Sequence, residues 1–154
     1  AAVKLAADLG VPAVVQIATQ DGFSKASAAC GDTPWILENG GADAPFYEEL
    51  FSSGLCKAGL GFNPGGFAAF GRNPFLQVFY HGGLRSHTRR FYVSDGTSAG
   101  EPAFAAQGNG EVKEILSMLR CRSFSGVVVL RSHVSGQYGF RAAAAAFWRM
   151  LDCM

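Results

Sequence analysis

One pattern recurs along the chain: a short unbroken apolar run that ends in polar and glycine residues, then a stretch with helical spacing. PWILENGG (34–41), KAGLGFNPGGF (57–67), RRFYVSDGT (89–97) and SGVVVLRSH (125–133) are its clearest instances. A strand covered on both faces reads as continuous Val, Ile, Leu and Phe, so each run predicts a buried parallel strand feeding a loop. AVVQIA at 13–18 predicts a fifth.

Helical spacing fills the intervals. Val3, Leu5, Ala6 and Leu9 predict an opening helix stopped by Gly10, and Asp43 caps a helix with Phe46, Tyr47, Leu50 and Phe51 on one face. Val112, Ile115, Leu116 and Leu119 mark another, and the Ala-rich stretch 140–151 closes the chain. Residues 20–22 read as a loop and 23–30 as a weak helix. A helix near 74–80 ends at Gly82 and Gly83. The glycine-rich segments 64–90 and 96–110 are long enough to act as lids. Strand and helix alternate throughout, which predicts parallel α/β architecture with right-handed crossovers in a single domain, 1–154.

Composition narrows the function classes. With 154 residues, 49% of them hydrophobic, there is enough for one core and too little for two domains. A formal charge of +1 provides no basic stripe for nucleic acid. The nearest approach is Arg85, His87, Arg89 and Arg90, which reads as a solvated loop in preference to a phosphate site. Apolar stretches are too short for a membrane span and no signal sequence opens the chain. Cys30, Cys56, Cys121 and Cys153 have no zinc or CxxC spacing and read as reduced, mostly buried thiols of a cytoplasmic protein. A start at Ala1 in place of Met suggests a processed product or a piece of a longer chain.

No GxGxxG, GxxxxGK[ST] or GxSxG occurs, which weighs against dinucleotide, P-loop and serine-hydrolase chemistry. Parallel α/β enzymes place their chemistry where strands end. The candidate positions are therefore Glu38, Asn63, Asp95 and Arg131, with His133 beyond Arg131 and with Phe62 and Phe67 as partners for a sugar ring.

The order ENGG, GLGFNPGGF, FYVSDGT, QGNGEVKEIL and SGVVVLRSH resembles the C-terminal half of the xylose isomerase-like TIM barrels, the sugar phosphate isomerase/epimerase superfamily. The opening AAVKLAADLGVPAVV resembles the helix and strand before them, so nearly the whole chain takes part. The resemblance implies a partial TIM barrel of about five βα units, beginning at the fourth strand. It also implies a sugar or sugar-phosphate substrate and a divalent metal, Mn²⁺ or Mg²⁺, held by Glu, Asp, His and Glu, the two Glu also serving as acid and base. A hard cation suits such ligands and stabilises an enediolate oxygen.

Carried over position by position, the first Glu falls on Glu38, the Asp on Asn63, the His on Tyr92 and the second Glu on Arg131. Glu38 matches, and with the carbonyl oxygen of Asn63 it is the expected remnant of a metal site. Glu38 is also the expected catalytic residue, with Asp95, Arg131, His133 and Phe62 around the substrate. Arg brings a cation where the metal belongs, so an Arg131–Glu38 pair is expected to replace it. Two functions follow. One is an isomerase/epimerase-like protein whose metal-dependent proton transfer is impaired; the other is a non-catalytic, degenerate barrel fragment that binds a small polyol or acts as an interaction module. Metal-dependent endonucleases of the same superfamily need more His and carboxylate ligands than are present. About eight strands and ~250 residues complete such a barrel. Half of one needs closure by self-association, by a partner chain, or by opening into a three-layer sandwich.

Overall fold

The computed structural model describes residues 2–133 and 136–154. Its strands are β1 (Ala13–Gln16), β2 (Trp35–Glu38), β3 (Gly59–Phe62), β4 (Thr88–Val93), β5 (Asp95–Gly96), β6 (Pro102–Ala103) and β7 (Val127–Leu130). Five of them form one parallel sheet in strict chain order, β1-β2-β3-β4-β7, and β5 pairs antiparallel with β6. The helices are α1 (Ala2–Asp8), α2 (Gln20–Cys30), α3 (Ala44–Ser52), α4 (Pro64–Ala68), α5 (Val112–Cys121) and α6 (Gly136–Asp152). A π-helical stretch, Pro74–Tyr80, and a 3₁₀ turn, Gly83–His87, complete the list. The architecture is α/β with helices between parallel strands, consistent with a partial α/β barrel.

Local chemistry explains the elements. Trp-Ile-Leu-Glu of β2 is buried at all four positions, as a central parallel strand requires. Asp43 starts α3 by accepting from its own helix's first N–H, and Arg72 clamps the same carboxylate through two nitrogens. That clamp holds the Asp43 carboxyl below its usual range. The loop expected at 20–22 is instead the first turn of α2. Thr19 Oγ1 accepts from the Gly22 N–H at 3.1 Å, and Phe23 and Cys30 anchor the helix in the core. A good cap and two buried anchors outweigh the missing apolar stripe.

The segments expected to be lids are better ordered than their glycines suggest. Residues 64–90 fold into α4, the π turn and the 3₁₀ turn, and they bury Phe67, Ala68, Val78, Phe79 and Leu84. Within 96–110 the backbone doubles back to pair β5 with β6. Of the four thiols, all free, Cys30 is buried and Cys56 half-buried, whereas Cys121 and Cys153 are exposed, against the expectation of burial. Each of those two sits at the end of an amphipathic helix, on its wet side. No helix among the described residues is long and apolar enough to cross a membrane.

The sheet has two unlike faces. Ala13, Trp35, Leu37, Leu60, Phe62, Phe91 and Val93 join α2, α3, α5 and the π turn in one hydrophobic cluster. Phe62 is its centre, with ring centroids 5.1 Å from both Phe67 and Phe79. Alternation turns Val14, Gln16, Ile36, Glu38, Gly59, Gly61, Arg90, Tyr92, Val127 and Val129 to the opposite face. The buried residues of α1, α2, α3, α5 and α6 that join a core belong to this same cluster. Ile36 and Glu38 at the middle of the opposite face are buried, but Val14 and Val127 at its flanks are exposed.

Candidate functional site

The polar residues of this second face gather where the strands end. Glu38, the last residue of β2, is only 7% exposed. Its carboxylate receives Arg131 in a two-pronged pair, Nη1 to Oε1 at 2.6 Å and Nη2 to Oε2 at 2.9 Å. Arg131 follows β7, three strand spacings from β2 and so about 14 Å away in a flat sheet. Side chains standing up from a flat surface would not meet across that span. A sheet curled towards this face brings them together.

Between them lies a platform. The Arg131 guanidinium sits 4.1 Å from the centroid of the Tyr92 ring, a cation–π distance. The Tyr92 ring in turn covers Gly61, where an added Cβ would lie 3.1 Å from Tyr92 Cε2 and 2.8 Å from Ile36 Cγ2. Gly61 therefore leaves room for Tyr92, Tyr92 carries Arg131, and Arg131 neutralises Glu38. Hydrogen bonding to Glu38 raises the Arg131 pKa above its ordinary value. Burial raises that of Tyr92, opposed by a hydrogen bond from Arg90. The Arg90 Nε–H is itself buried with no acceptor among the described residues, so the face holds an unused donor.

The other candidates divide. His133 lies with Arg131 along a pocket of about 260 Å³ whose far wall is Pro102, Ala103, Phe104 and Gln107 of the β6 region. Burial on one side and the Arg131 charge lower its imidazole pKa. Asn63 is at the adjacent strand end, but its side-chain oxygen accepts from Ser94 Oγ at 2.7 Å and from the Gly66 N–H at 3.3 Å as the cap of α4. Asp95 is 1% exposed, and its carboxylate accepts three backbone N–H groups, from Gly96, Gly108 and Gly110. It organises the 96–110 loop and does not face Glu38. Phe62, expected near substrate, points into the helix layer at 0% exposure, as does Phe67. The expectation for Phe62 is corrected by the alternation that turns Glu38 and Gly61 one way and Phe62 the other.

Asn39 and Tyr47 are functional in a sense the sequence analysis missed. Asn39, fully buried, donates to the Asn63 carbonyl at 2.8 Å and accepts the Asn63 N–H at 2.6 Å, extending the β2–β3 ladder by one side chain. Tyr47 Oη donates to the Ile17 carbonyl and accepts from Gly40 and Gly41, which ties the loop after β1 to the loop after β2. Both fix the backbone that presents Glu38. Their signal in sequence was weak, since Asn before Gly-Gly reads first as a turn and Tyr on an apolar helix face as core.

As a metal site the donor set is a poor fit. Both Glu38 oxygens are taken by a guanidinium, the Asn63 oxygen by Ser94 and Gly66, and Tyr92 presents its ring to Arg131. Among the described residues no three His, Cys, Asp or Glu side chains converge. The arrangement can instead bind neutral hydroxyl groups, which accept from guanidinium N–H and donate to carboxylate lone pairs. No protein-family model matches this chain, and no curated protein or solved structure matches it.

Proposed function

We propose that the chain is a partial TIM barrel of the xylose isomerase-like type whose strand-end site binds a sugar or small polyol, with the metal-dependent proton transfer of an isomerase or epimerase impaired. The observation that carries this reading is the two-pronged Arg131–Glu38 pair at the C-terminal ends of β7 and β2. Moving a proton beside a sugar carbonyl takes a carboxylate to accept it and a cation to hold the oxygen that becomes charged. Here Arg131 would supply the fixed positive charge in place of Mn²⁺ or Mg²⁺. Glu38, locked to it, keeps lone pairs for substrate hydroxyls but is no longer a free base. The second carboxylate of the ancestral pair is replaced by the same arginine, so the route that returns the proton is missing. Binding without turnover is what remains.

Recognition would fall to Arg131 and His133, which line the pocket, with Glu38 paired behind Arg131 and the 96–110 loop, held by Asp95, as the far wall. The chain's closure belongs to the same reading. Leu5, Leu9 and Val14 on one flank and Val127, Phe140 and Trp148 on the other are exposed apolar residues beside the unpaired edges of β1 and β7. A second copy or a partner chain completing the barrel would cover them.

The test is calorimetric titration of Mn²⁺, Mg²⁺ and xylitol into the chain and into Glu38→Gln. Saturable xylitol binding lost in the variant, with neither metal bound by either protein, is the expected result. Metal binding that Glu38→Gln abolishes would overturn the reading and restore a working isomerase site.

A further inference from the structure

The opposite rim of the sheet, where the strands begin, holds a pocket of about 370 Å³ between the 3₁₀ turn, the end of α5 and the start of β7. Three arginines line it, Arg85, Arg89 and Arg122, with four hydroxyls, Ser86, Thr88, Ser123 and Ser125, and no carboxylate; Ser86 and Thr88 already donate to the Gly83 and Leu84 carbonyls. Its inner wall is apolar, formed by Phe79, Leu119 and Phe124. None of the three arginines forms an ion pair among the described residues. Arg89 Nη1 donates only to the Ser86 and Thr88 carbonyls, and Arg85 Nη1 meets only the Met118 thioether, at 3.7 Å. Arg122 has no side-chain partner among the described residues.

A solvated basic loop, the reading from sequence, does not explain how Arg89 is held. Thr88 and Arg90 pair with consecutive residues of β3, Leu60 and Gly61, so Arg89 is the extra residue of a bulge. Bulges re-aim a side chain. The stem of Arg89 lies on Gly59, where a Cβ would come within 2.6 Å of Arg89 Cγ, and its carbonyl is packed against Gly126. Ser123, on the rim, has φ +52, the left-handed region a non-glycine residue seldom occupies. Local backbone cost concentrated around one cavity marks a shaped site, not a worn surface. Of the other two members of the basic cluster, His87 stacks on Phe51 and Arg90 belongs to the opposite face beside Tyr92.

We propose that this pocket binds a phosphate monoester whose ester group is apolar or aromatic. Guanidinium forks match phosphate oxygens in pairs, and three of them with the Ser123 and Ser125 hydroxyls suit a dianion better than a single carboxylate. The Phe79–Leu119–Phe124 wall takes the organic part. This site is at the far end of the strands from Glu38 and stands independently of the function proposed there.

Phenyl phosphate, inorganic phosphate and benzoate are titrated calorimetrically into the whole chain and into Arg85→Gln, Arg122→Gln and, as a control at an exposed arginine outside the pocket, Arg149→Gln. Phenyl phosphate should bind one to one, about tenfold tighter than either of the others, and lose about tenfold in each of the first two variants but not in the third. Both arginines lie at the surface, so these variants keep the fold. Crosspeaks of Ser123, Ser125 and Gly126 in an amide NMR spectrum should move on titration. Absence of saturable binding, binding that survives Arg85→Gln and Arg122→Gln, or an equal loss in Arg149→Gln would overturn the proposal. Equal affinity for inorganic phosphate would overturn its apolar half.

Discussion

The two ends of the sheet handle positive charge in opposite ways. Where the strands finish, Arg131 is matched one to one by a carboxylate and laid on an aromatic ring. Where they begin, Arg85, Arg89 and Arg122 share a pocket without an acid. The first arrangement is complete in itself; the second is complete only with something added. A buried matched pair is expensive to break, whereas an unmatched cluster costs little to remove and gains from an anion. In a chain of net charge +1 these are local designs, not the overflow of a basic protein.

The largest effect that sharpens this contrast is the loss of Arg131. Its side chain is 33% exposed but Glu38's is only 9%, so Arg131→Met strands a nearly buried carboxylate. We expect a loss of about 3 kcal/mol, by urea denaturation, with a smaller loss for Glu38→Gln. The double variant should be less damaged than the sum of the two, with a coupling of at least about 1 kcal/mol. Additive single effects would mean the pair is a surface contact and would remove the contrast.

Next in size is the platform. Gly61→Ala drives a methyl between Ile36 and the Tyr92 ring, and should cost about 1–2 kcal/mol while moving Tyr92 from beneath Arg131. Replacing Ile36 by Ala in the same chain removes the Cγ2 atom that the methyl meets, so the two substitutions together should cost less than the sum of their separate losses. An unchanged denaturation midpoint in Gly61→Ala would show that the ring does not rest there.

How much of this could be read from the chain depends on how many neighbours each residue answers to. β2, β7 and α3 were legible because their signals are local: an apolar run, or Asp43 ahead of a one-sided helix. The Arg131–Glu38 pair was reached through the resemblance, because residues 93 positions apart announce no contact of their own. Phe62 was misplaced for a physical reason. In a strand buried on both faces hydrophobicity names no face, although Gly-Leu-Gly-Phe did carry one signal, the small residues alternating with large ones. Asp95 before Gly96 and Thr97 reads equally well as a substrate contact or as a turn residue, and its carboxylate takes the turn role by accepting three backbone N–H groups. The bulge at Arg89 leaves no local mark, so the lower pocket was read as a loop.

A smaller effect tests the lower end. Arg85→Gln and Arg122→Gln together should leave stability within about 0.5 kcal/mol of the parent, with a slight gain at low ionic strength as like charges are removed. The gain should vanish in about 1 M NaCl. A marked loss in the double variant would mean that these arginines hold the fold, and that both ends of the sheet use charge structurally.

The smallest effect reports on the upper end alone. Burial on one side, and after it the charge of Arg131, hold the His133 pKa below 6.5. The unfolded chain therefore binds more protons between the folded pKa and about 6.5, so this contribution is fully present above that range and is lost as pH falls through it. His133 is exposed, so the stability change is slight and the better readout is its imidazole Cε1–H signal by NMR. The midpoint should lie below 6.5 in the parent chain. In Arg131→Met it should rise without reaching 6.5, because the charge is gone and the partial burial stays. A midpoint unmoved by that substitution would place His133 outside the field of Arg131, and would leave the upper site with a single charged pair and no titrating neighbour.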